Sequence, residues 1–169
     1  FMTATLQQEG GRKLRLSSSQ VMRVAQGLYE RGYITYMRTD NVVLSDEAMQ
    51  AARAAVTSEY GANYLNAAPK QYSSKVKNAQ EAHEAIRPTT PFRSPQQVSS
   101  ELNSQELALY RLVWQRTLAS QMADATGVTV SVRLAANATD RVTGELTDCE
   151  FAASGTTITF PGYRAVYVA

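Results

Sequence analysis

The sequence predicts a mainly α protein of overall α+β class, with a helical domain at residues 1–125 and part of a β-rich domain at residues 126–169. Two observations support this division. Up to about residue 123, apolar residues recur at spacings of three and four, which is typical of amphipathic helices. After Gly127 they recur at every second position, which is typical of a strand with one buried face. A chain of 169 residues is long enough to bury a core of its own.

Two helices are predicted in the first 32 residues. Residues 2–9 favour a short helix that the glycine pair at 10–11 halts. Ser17 and Gln20 have the spacing of a capping box, which marks the start of a second helix. Gly32 is suited to the left-handed backbone that ends such a helix. The apolar face of this second helix consists of Val21, Val24, Ala25, Leu28 and Tyr29.

An extended segment, a third helix and a long loop follow. Residues 33–38 are β-branched and aromatic, so an extended conformation is predicted for them. The third helix is predicted to start at Ser45, where acidic residues in the first turn suit the helix dipole, and to stop at Gly61. Residues 62–95 are polar and contain four prolines. They predict a loop with at most a short helix near residues 81–86, and loops of this length are often functional.

The remaining elements are two further helices and a set of strands. Helices are predicted to open at Pro95 and Asn103, and the longer one covers about residues 104–123. Its apolar stripe consists of Leu107, Tyr110, Trp114, Leu118 and Met122. Because Trp114 shares that stripe, we expect it in the core. The predicted β elements are extended runs at 128–134, 141–151, 157–160 and 163–168, with turns at 137–140 and 154–155.

The composition excludes several classes of protein. Cys149 is the only cysteine and there is a single histidine, so neither an internal disulfide nor a cluster of soft metal ligands can form. No apolar run approaches the roughly 18 residues that a membrane helix needs. The first residues lack the pattern of a signal peptide. We therefore expect a cytoplasmic protein without a membrane partner, and an internal piece of a longer chain.

The charge is uneven although the net charge is only +2. Residues 1–38 contain six lysines and arginines against two glutamates, and residues 70–93 contain five against two. Two such blocks could form one surface that faces phosphates. Solvated helix faces and a basic loop explain the same blocks, and by charge alone this second interpretation is favoured.

Tyr36, Arg38 and Asp40 lie two residues apart. In an extended segment such residues point to the same side, so a phenol, a guanidinium and a carboxylate would share one face. A nearby cation favours the phenolate, and a guanidinium can grip a phosphate with two hydrogen bonds. This arrangement suits attack on a phosphodiester. By the spacing alone, an alternating, half-exposed strand without chemistry is the favoured interpretation.

Three ordered motifs point to one family. Residues 32–40 read GYITYMRTD, residues 5–9 read TLQQE, and residues 82–89 read AHEAIRPT. Together they resemble the active-site region of bacterial type IA DNA topoisomerases, and the resemblance extends over the whole chain. It implies a winged-helix-like (CAP-like) helical domain followed by the start of a β-rich arch domain.

The resemblance implies roles for three residues. Tyr36 would be the nucleophile that bonds to a DNA 5′ phosphate, Arg38 would bind the scissile phosphate, and His83 would help to position DNA. Tyr33 lies an odd number of residues from Tyr36, so we expect it to point to the opposite side, into the core. Asp40 is expected at most to orient Arg38.

The resemblance also implies a partner and a cofactor. DNA, preferentially single-stranded, would contact the basic blocks, and the candidate contacts are Arg12, Lys13, Arg23, Lys75, Lys77 and Arg87. Mg²⁺ would be bound by an acidic domain that precedes this region in the family, so no metal site is expected in this chain. The family has Ser after the Arg-Thr-Asp triplet where this chain has Asn41, and we expect only a local adjustment there.

Alternatives remain at this level. A non-catalytic winged-helix module would use residues 17–32 as a recognition helix in the major groove, with Tyr36 in the wing. A relaxase would need a histidine cluster, and a tyrosine recombinase would need further arginine and histidine partners. Both are therefore less favoured.

Overall fold

The computed structural model describes residues 1–73 and 84–168. Its main elements are four helices followed by an antiparallel hairpin: α1 (Thr3–Leu14), α2 (Ser18–Glu30), α3 (Asp46–Tyr60), α4 (Ser104–Gln121), β1 (Thr126–Thr139) and β2 (Leu146–Phe160). Short 3-10 helices cover Ala62–Tyr64 and Gly162–Ala165. The predicted mainly helical, α+β class is confirmed.

The chain forms two compact units. Phe1–Asp124 together with Gly162–Ala169 make up the helical unit, and Ala125–Pro161 make up the hairpin unit. In the helical unit, α2 buries most of the face predicted for it, with Val21, Ala25 and Leu28 inaccessible to solvent. Trp114 on α4 is buried in the same core, as predicted.

Helix ends follow the predicted capping chemistry for three helices. The Ser17 hydroxyl accepts a hydrogen bond from the backbone of Gln20, which completes a capping box at the start of α2. Ser45 caps α3, and Gly61 ends it with a positive φ of 96°. Asn103 caps α4 by accepting hydrogen bonds from two amides of its first turn.

The first helix departs from its prediction. Instead of stopping at Gly10-Gly11, α1 continues to Leu14. Gly10 is buried against α2, and a Cβ atom there would lie 2.6 Å from a methyl carbon of Val21. Glycine is therefore placed at this position by the close approach of two helices, and packing offsets its low helix propensity.

Two other predicted elements were wrong. No helix opens at Pro95, where residues 95–101 form a series of turns. Residues 163–168 are not extended, because Gly162–Ala165 form a 3-10 helix. Residues 84–86 are described and not helical, whereas the rest of the short helix predicted near 81–86 lies outside the described residues.

The hairpin unit is one long pair of strands. β2 runs without interruption through Ser154 and Gly155, where a turn was predicted, and the actual turn lies between Thr139 and Leu146. On β1 the apolar residues alternate as predicted, but all of β1 is exposed, and so is β2 apart from the partly buried Cys149 and Phe160. Among the described residues, no helix has the length and apolar character needed to cross a bilayer.

Candidate active site

The segment after α2 carries the candidate nucleophile. The predicted strand at residues 33–38 is absent, and Ile34 forms only an isolated bridge with Pro88. From Tyr36 to Asp40 exposed and buried residues nevertheless alternate as the spacing predicted, whereas Ile34, two residues before Tyr36, is buried. Tyr36 is 37% exposed, and Met37 next to it is buried. Arg38 and Asp40 are also exposed, and Thr39 between them is buried.

The backbone just before Tyr36 is held by the segment at residues 85–89. The amide of Thr35 donates to the carbonyl of Arg87 at 2.9 Å. The Thr35 hydroxyl donates to the carbonyl of Ala85 at 2.7 Å and accepts from the amide of Arg87 at 3.0 Å. The motif at residues 32–40 and the motif at residues 82–89 are thus in direct contact, although the bonded residues lie about fifty positions apart in the chain.

Tyr29 contacts the ring of Tyr36. The two rings meet edge to face, with 5.3 Å between their centroids and 68° between their planes. Tyr29 was predicted on the apolar face of α2, and at 42% exposure it is the exposed member of that face. It lies at the edge of the apolar face of α2, where its ring contacts the ring of Tyr36. Edge-to-face contacts of this kind favour one ring orientation over others.

Tyr33 has a different environment from Tyr36. Its hydroxyl donates a 2.5 Å hydrogen bond to Glu101, and this bond to a carboxylate raises the pKa of Tyr33 above its ordinary value. The guanidinium of Arg31 lies over its ring at 5.1 Å. Tyr33 is half-buried rather than fully in the core. Because its phenol is engaged and harder to ionise, it is poorly suited to act as a nucleophile.

A cavity of about 260 Å³ lies on the Tyr33 side of this segment. Arg31 and Arg93 line it, together with Glu101 and Tyr110. Both arginines are already paired with carboxylates, Arg31 with Glu106 and Arg93 with Glu101. Since its cations are neutralised, this cavity offers no free positive charge for a phosphate.

The candidate phosphate-binding cations differ in their exposure and in whether they are already paired with a carboxylate. Arg38 and Arg23 are exposed, and neither guanidinium has a hydrogen bond or ion pair within the described part of the chain. Arg12 and Lys13 on α1 both face Glu9, at 2.6 Å and 4.0 Å. Arg87, in contrast, is 9% exposed.

The contacts of Arg87 indicate a structural role. Its Nε donates to Glu84 at 2.6 Å, and another guanidinium nitrogen donates to the carbonyl of Pro88 at 3.0 Å. A buried guanidinium with these partners has little surface left for a DNA phosphate. The other candidates in this part of the chain, Lys75, Lys77 and His83, lie outside the described residues.

Comparison with known proteins identifies the family. A family model described as DNA topoisomerase matches residues 1–169. The chain belongs to the bacterial type IA DNA topoisomerases. It is 56% identical over 169 residues to DNA topoisomerase 1 of Mycolicibacterium smegmatis and 54% identical to that of Synechococcus elongatus, covering 99% of this chain in both cases.

The structural comparison agrees with the sequence comparisons. Full-length topoisomerase I from Thermotoga maritima matches with a TM-score of 0.76 and 36% identity, over 98% of this chain and 26% of that chain. The chain spans about 18% of the length of the two curated topoisomerases above. It therefore corresponds to one region of a much longer type of protein.

Two features of this topoisomerase region bear on the site as a whole. Within residues 1–73 and 84–168, no group of three His, Cys, Asp or Glu side chains could hold a metal ion. The Asn41 side chain accepts a 2.9 Å hydrogen bond from the amide of Val43. That Asn41 brings only a local adjustment stays a prediction.

Sequence reasoning missed two residues that touch the segment carrying the candidate nucleophile. Tyr29 contacts the ring of Tyr36, and Thr3 at the start of α1 contacts the backbone after it. Neither contact has a local sequence signal, because both partners are brought together only by the packing of α1 and α2 around the segment.

Proposed function

We propose that Tyr36 is the nucleophile of a type IA DNA topoisomerase that contains this chain. The observation that carries the proposal is that an exposed tyrosine on a hydrogen-bonded backbone is followed, two residues later, by the exposed Arg38, whose guanidinium has no ion pair among the described residues. Held reactants lower the entropic part of a reaction barrier. The matching family supports DNA as the substrate.

In the proposed reaction the Tyr36 oxygen attacks the scissile phosphorus of one DNA strand. A bond forms between the phenol oxygen and phosphorus, the bond from phosphorus to the 3′ oxygen breaks, and the phenol proton is balanced by the proton that the released 3′ hydroxyl gains. The product is a 5′-phosphotyrosine. After another strand passes through the break, the 3′ hydroxyl attacks the phosphotyrosine and reverses the exchange. ATP is not required, because the phosphodiester bond energy is kept.

Arg38 is proposed to bind the non-bridging oxygens of the scissile phosphate. A guanidinium presents paired N–H groups that match a phosphate and stabilise the charge that builds up in the transition state. Arg23, also exposed, is proposed as a contact to the DNA backbone further away. Such contacts predict salt-sensitive binding of single strands with little sequence preference. DNA as substrate also implies action in the bacterial cytoplasm.

Mg²⁺ is the cofactor that the family resemblance implies. The described residues offer no ligand set for it, so no step of the reaction is assigned here to a metal. We propose that residues outside this chain hold it, and that the chain alone does not relax DNA. Turnover of supercoiled plasmid by the purified 169-residue chain with Mg²⁺ would contradict this.

The hairpin unit is proposed to be part of a larger β domain. One face of it is apolar, because Val130, Val132 and Leu134 alternate on β1 and Phe151 lies opposite Leu134 on β2. These side chains are 50–63% exposed. Further strands from the remainder of the longer protein would cover them.

The test of the proposed function uses the full-length enzyme that contains this chain. It is incubated with Mg²⁺ and a labelled single-stranded oligonucleotide, quenched with detergent and run on a denaturing gel. We expect a covalent protein–DNA band from the wild type and from Tyr33→Phe, and none from Tyr36→Phe. The matched control removes a hydroxyl from a tyrosine only three residues away.

Two results would overturn the proposal. A band that disappears only in Tyr33→Phe would assign the nucleophile to the other tyrosine. No band from any of the three proteins, despite DNA binding, would support the non-catalytic binding module instead.

A further inference from the structure

Thr3, the first residue of α1, is bonded to the segment that follows Tyr36. Its amide donates to the carbonyl of Thr39 at 2.8 Å. Its hydroxyl donates to the carbonyl of Met37 at 2.7 Å, with the carbonyl of Thr39 as a second acceptor at 3.1 Å. The same hydroxyl accepts from the amide of Thr39 at 2.9 Å. A hydroxyl has one proton and two lone pairs, so three of these bonds can exist together.

These bonds fix the backbone on both sides of Arg38. The carbonyl of Met37 belongs to the peptide unit before Arg38, and the amide of Thr39 belongs to the peptide unit after it. Both flanking side chains are buried, Met37 at 5% and Thr39 at 8% exposure. The backbone of Arg38 is therefore held on both sides, while its guanidinium extends into solvent.

The hydroxyl of Thr3 is not needed to start the helix. The residue that caps α1 is Met2, and the amide of Met2 donates to the hydroxyl of Thr5 at 3.1 Å. The hydroxyl of a threonine near a helix start commonly accepts a hydrogen bond from a backbone amide of the same helix. Here that of Thr3 is bonded to a segment 34 to 36 residues away.

We propose that Thr3 is a positioning residue for Arg38. This rests on the proposed function of Tyr36 and Arg38. The Thr3 hydroxyl holds the two peptide units around Arg38, and this directs the guanidinium towards the phosphate that Tyr36 attacks. A phosphate bound by a correctly placed guanidinium is the state from which attack occurs, so Thr3 acts on the rate of the chemical step more than on DNA binding.

The test compares Thr3→Val with Thr3→Ser in the full-length enzyme that contains this chain. Valine matches the shape of threonine but lacks the hydroxyl, whereas serine keeps it. The measurements are the single-turnover rate of covalent-adduct formation with Mg²⁺ and a single-stranded oligonucleotide, the Kd for that oligonucleotide, and the melting temperature. We expect Thr3→Val to slow adduct formation about tenfold, with the Kd within about twofold of the wild type, and Thr3→Ser to stay within about threefold.

A second arm asks whether Thr3 acts through Arg38. In an Arg38→Lys background, we expect Thr3→Val to slow the reaction by less than about threefold, since residues that work as a unit are not additive. A full tenfold loss in that background would overturn the proposal. So would equal losses in Thr3→Val and Thr3→Ser, an unchanged rate in Thr3→Val, or a Thr3→Val protein that melts far below the wild type, which would make Thr3 a structural residue.

A Tyr36→Phe arm separates this proposal from the proposed function. An adduct that persists in Tyr36→Phe would overturn the proposed function itself. Loss of the adduct in Tyr36→Phe, with Thr3→Val at the wild-type rate, would overturn the role of Thr3 alone.

Discussion

The helical unit and the hairpin unit use the same kind of sequence signal with opposite results. Leu28 on α2 and Leu118 on α4 lie on predicted apolar stripes and are fully buried. Val130 and Leu134 on β1 lie on an equally regular apolar stripe and are 61% and 63% exposed. An apolar stripe therefore shows that a face needs a partner, but it does not show that the partner is in the same chain.

The difference has consequences for stability. The helical unit packs several helices around one core, whereas the hairpin unit is two strands with nothing described on either face. A two-stranded hairpin by itself is marginal in water. We therefore expect the helical unit, which carries Tyr36 and Arg38, to account for nearly all of the chain's cooperative stability.

The largest expected effect is a paired leucine truncation. Leu28→Ala removes a fully buried side chain and should lower the free energy of unfolding by about 3 kcal/mol. Leu134→Ala removes one that is 63% exposed and should change it by less than about 0.5 kcal/mol. Urea denaturation of the 169-residue chain measures both. Equal losses would break the comparison, because the hairpin would then be part of the cooperative core.

A paired removal of arginine should have an intermediate effect. Arg87→Ala leaves Glu84 and the Pro88 carbonyl without a buried partner, so we expect a loss of about 2 kcal/mol. Arg133→Ala breaks the pair with Glu150 on the hairpin, where both side chains are more than half exposed, and should cost less than about 0.5 kcal/mol.

The same urea titration measures this second pair. A loss for Arg133→Ala as large as that for Arg87→Ala would contradict the comparison. If Arg87→Ala left stability unchanged but weakened binding of single-stranded DNA, the prediction that Arg87 contacts DNA would be supported instead.

The smallest expected effect is one of pH. A hydrogen bond from Arg93, and then one from Tyr33, lower the pKa of Glu101 from 4.5 to about 2. A carboxylate with a lowered pKa stabilises the fold above its unfolded pKa, and this stability is lost as the pH falls from about 4.5 towards 2. We expect Glu101→Gln to reduce the drop in melting temperature over this range.

Asp140 in the hairpin turn is the matched control. Backbone hydrogen bonds from Thr143 and Val142 also lower the pKa of its carboxyl. If the hairpin contributes little to cooperative melting, Asp140→Asn should leave the pH dependence of the melting temperature unchanged. A flattening in Asp140→Asn as large as that in Glu101→Gln would count against the division of stability between the two units.

Local chemistry made much of the fold predictable. Capping by Ser17, Ser45 and Asn103 involves atoms only two or three residues apart, so the helix starts could be read directly from the sequence. The stops at Gly32 and Gly61 follow from positive φ angles that glycine adopts easily. The turn predicted at Ser154-Gly155 was wrong, because pairing with β1 along the whole of β2 overrides the turn preference of these two residues.

The candidate site was predictable in identity but not in its supports. The motif around Tyr36, with its two-residue spacing, indicated which phenol and which guanidinium are exposed together. The support from Thr3, the ring contact of Tyr29 and the burial of Arg87 join positions far apart in the chain. The periodicity of apolar residues does not predict such contacts, because they depend on how the helices pack.

The amino-acid order alone thus settled the type of each main element, the family resemblance and the exposed side of the segment at Tyr36, since these follow from spacing and local bonding. Only the tertiary structure showed that α1 continues through Gly10 and that the hairpin's apolar face is exposed. It alone also showed the contacts that Thr3 and Tyr29 make with the segment around Tyr36. The physical reason is that a stripe or a hydroxyl has many possible partners, and only three-dimensional packing selects one of them.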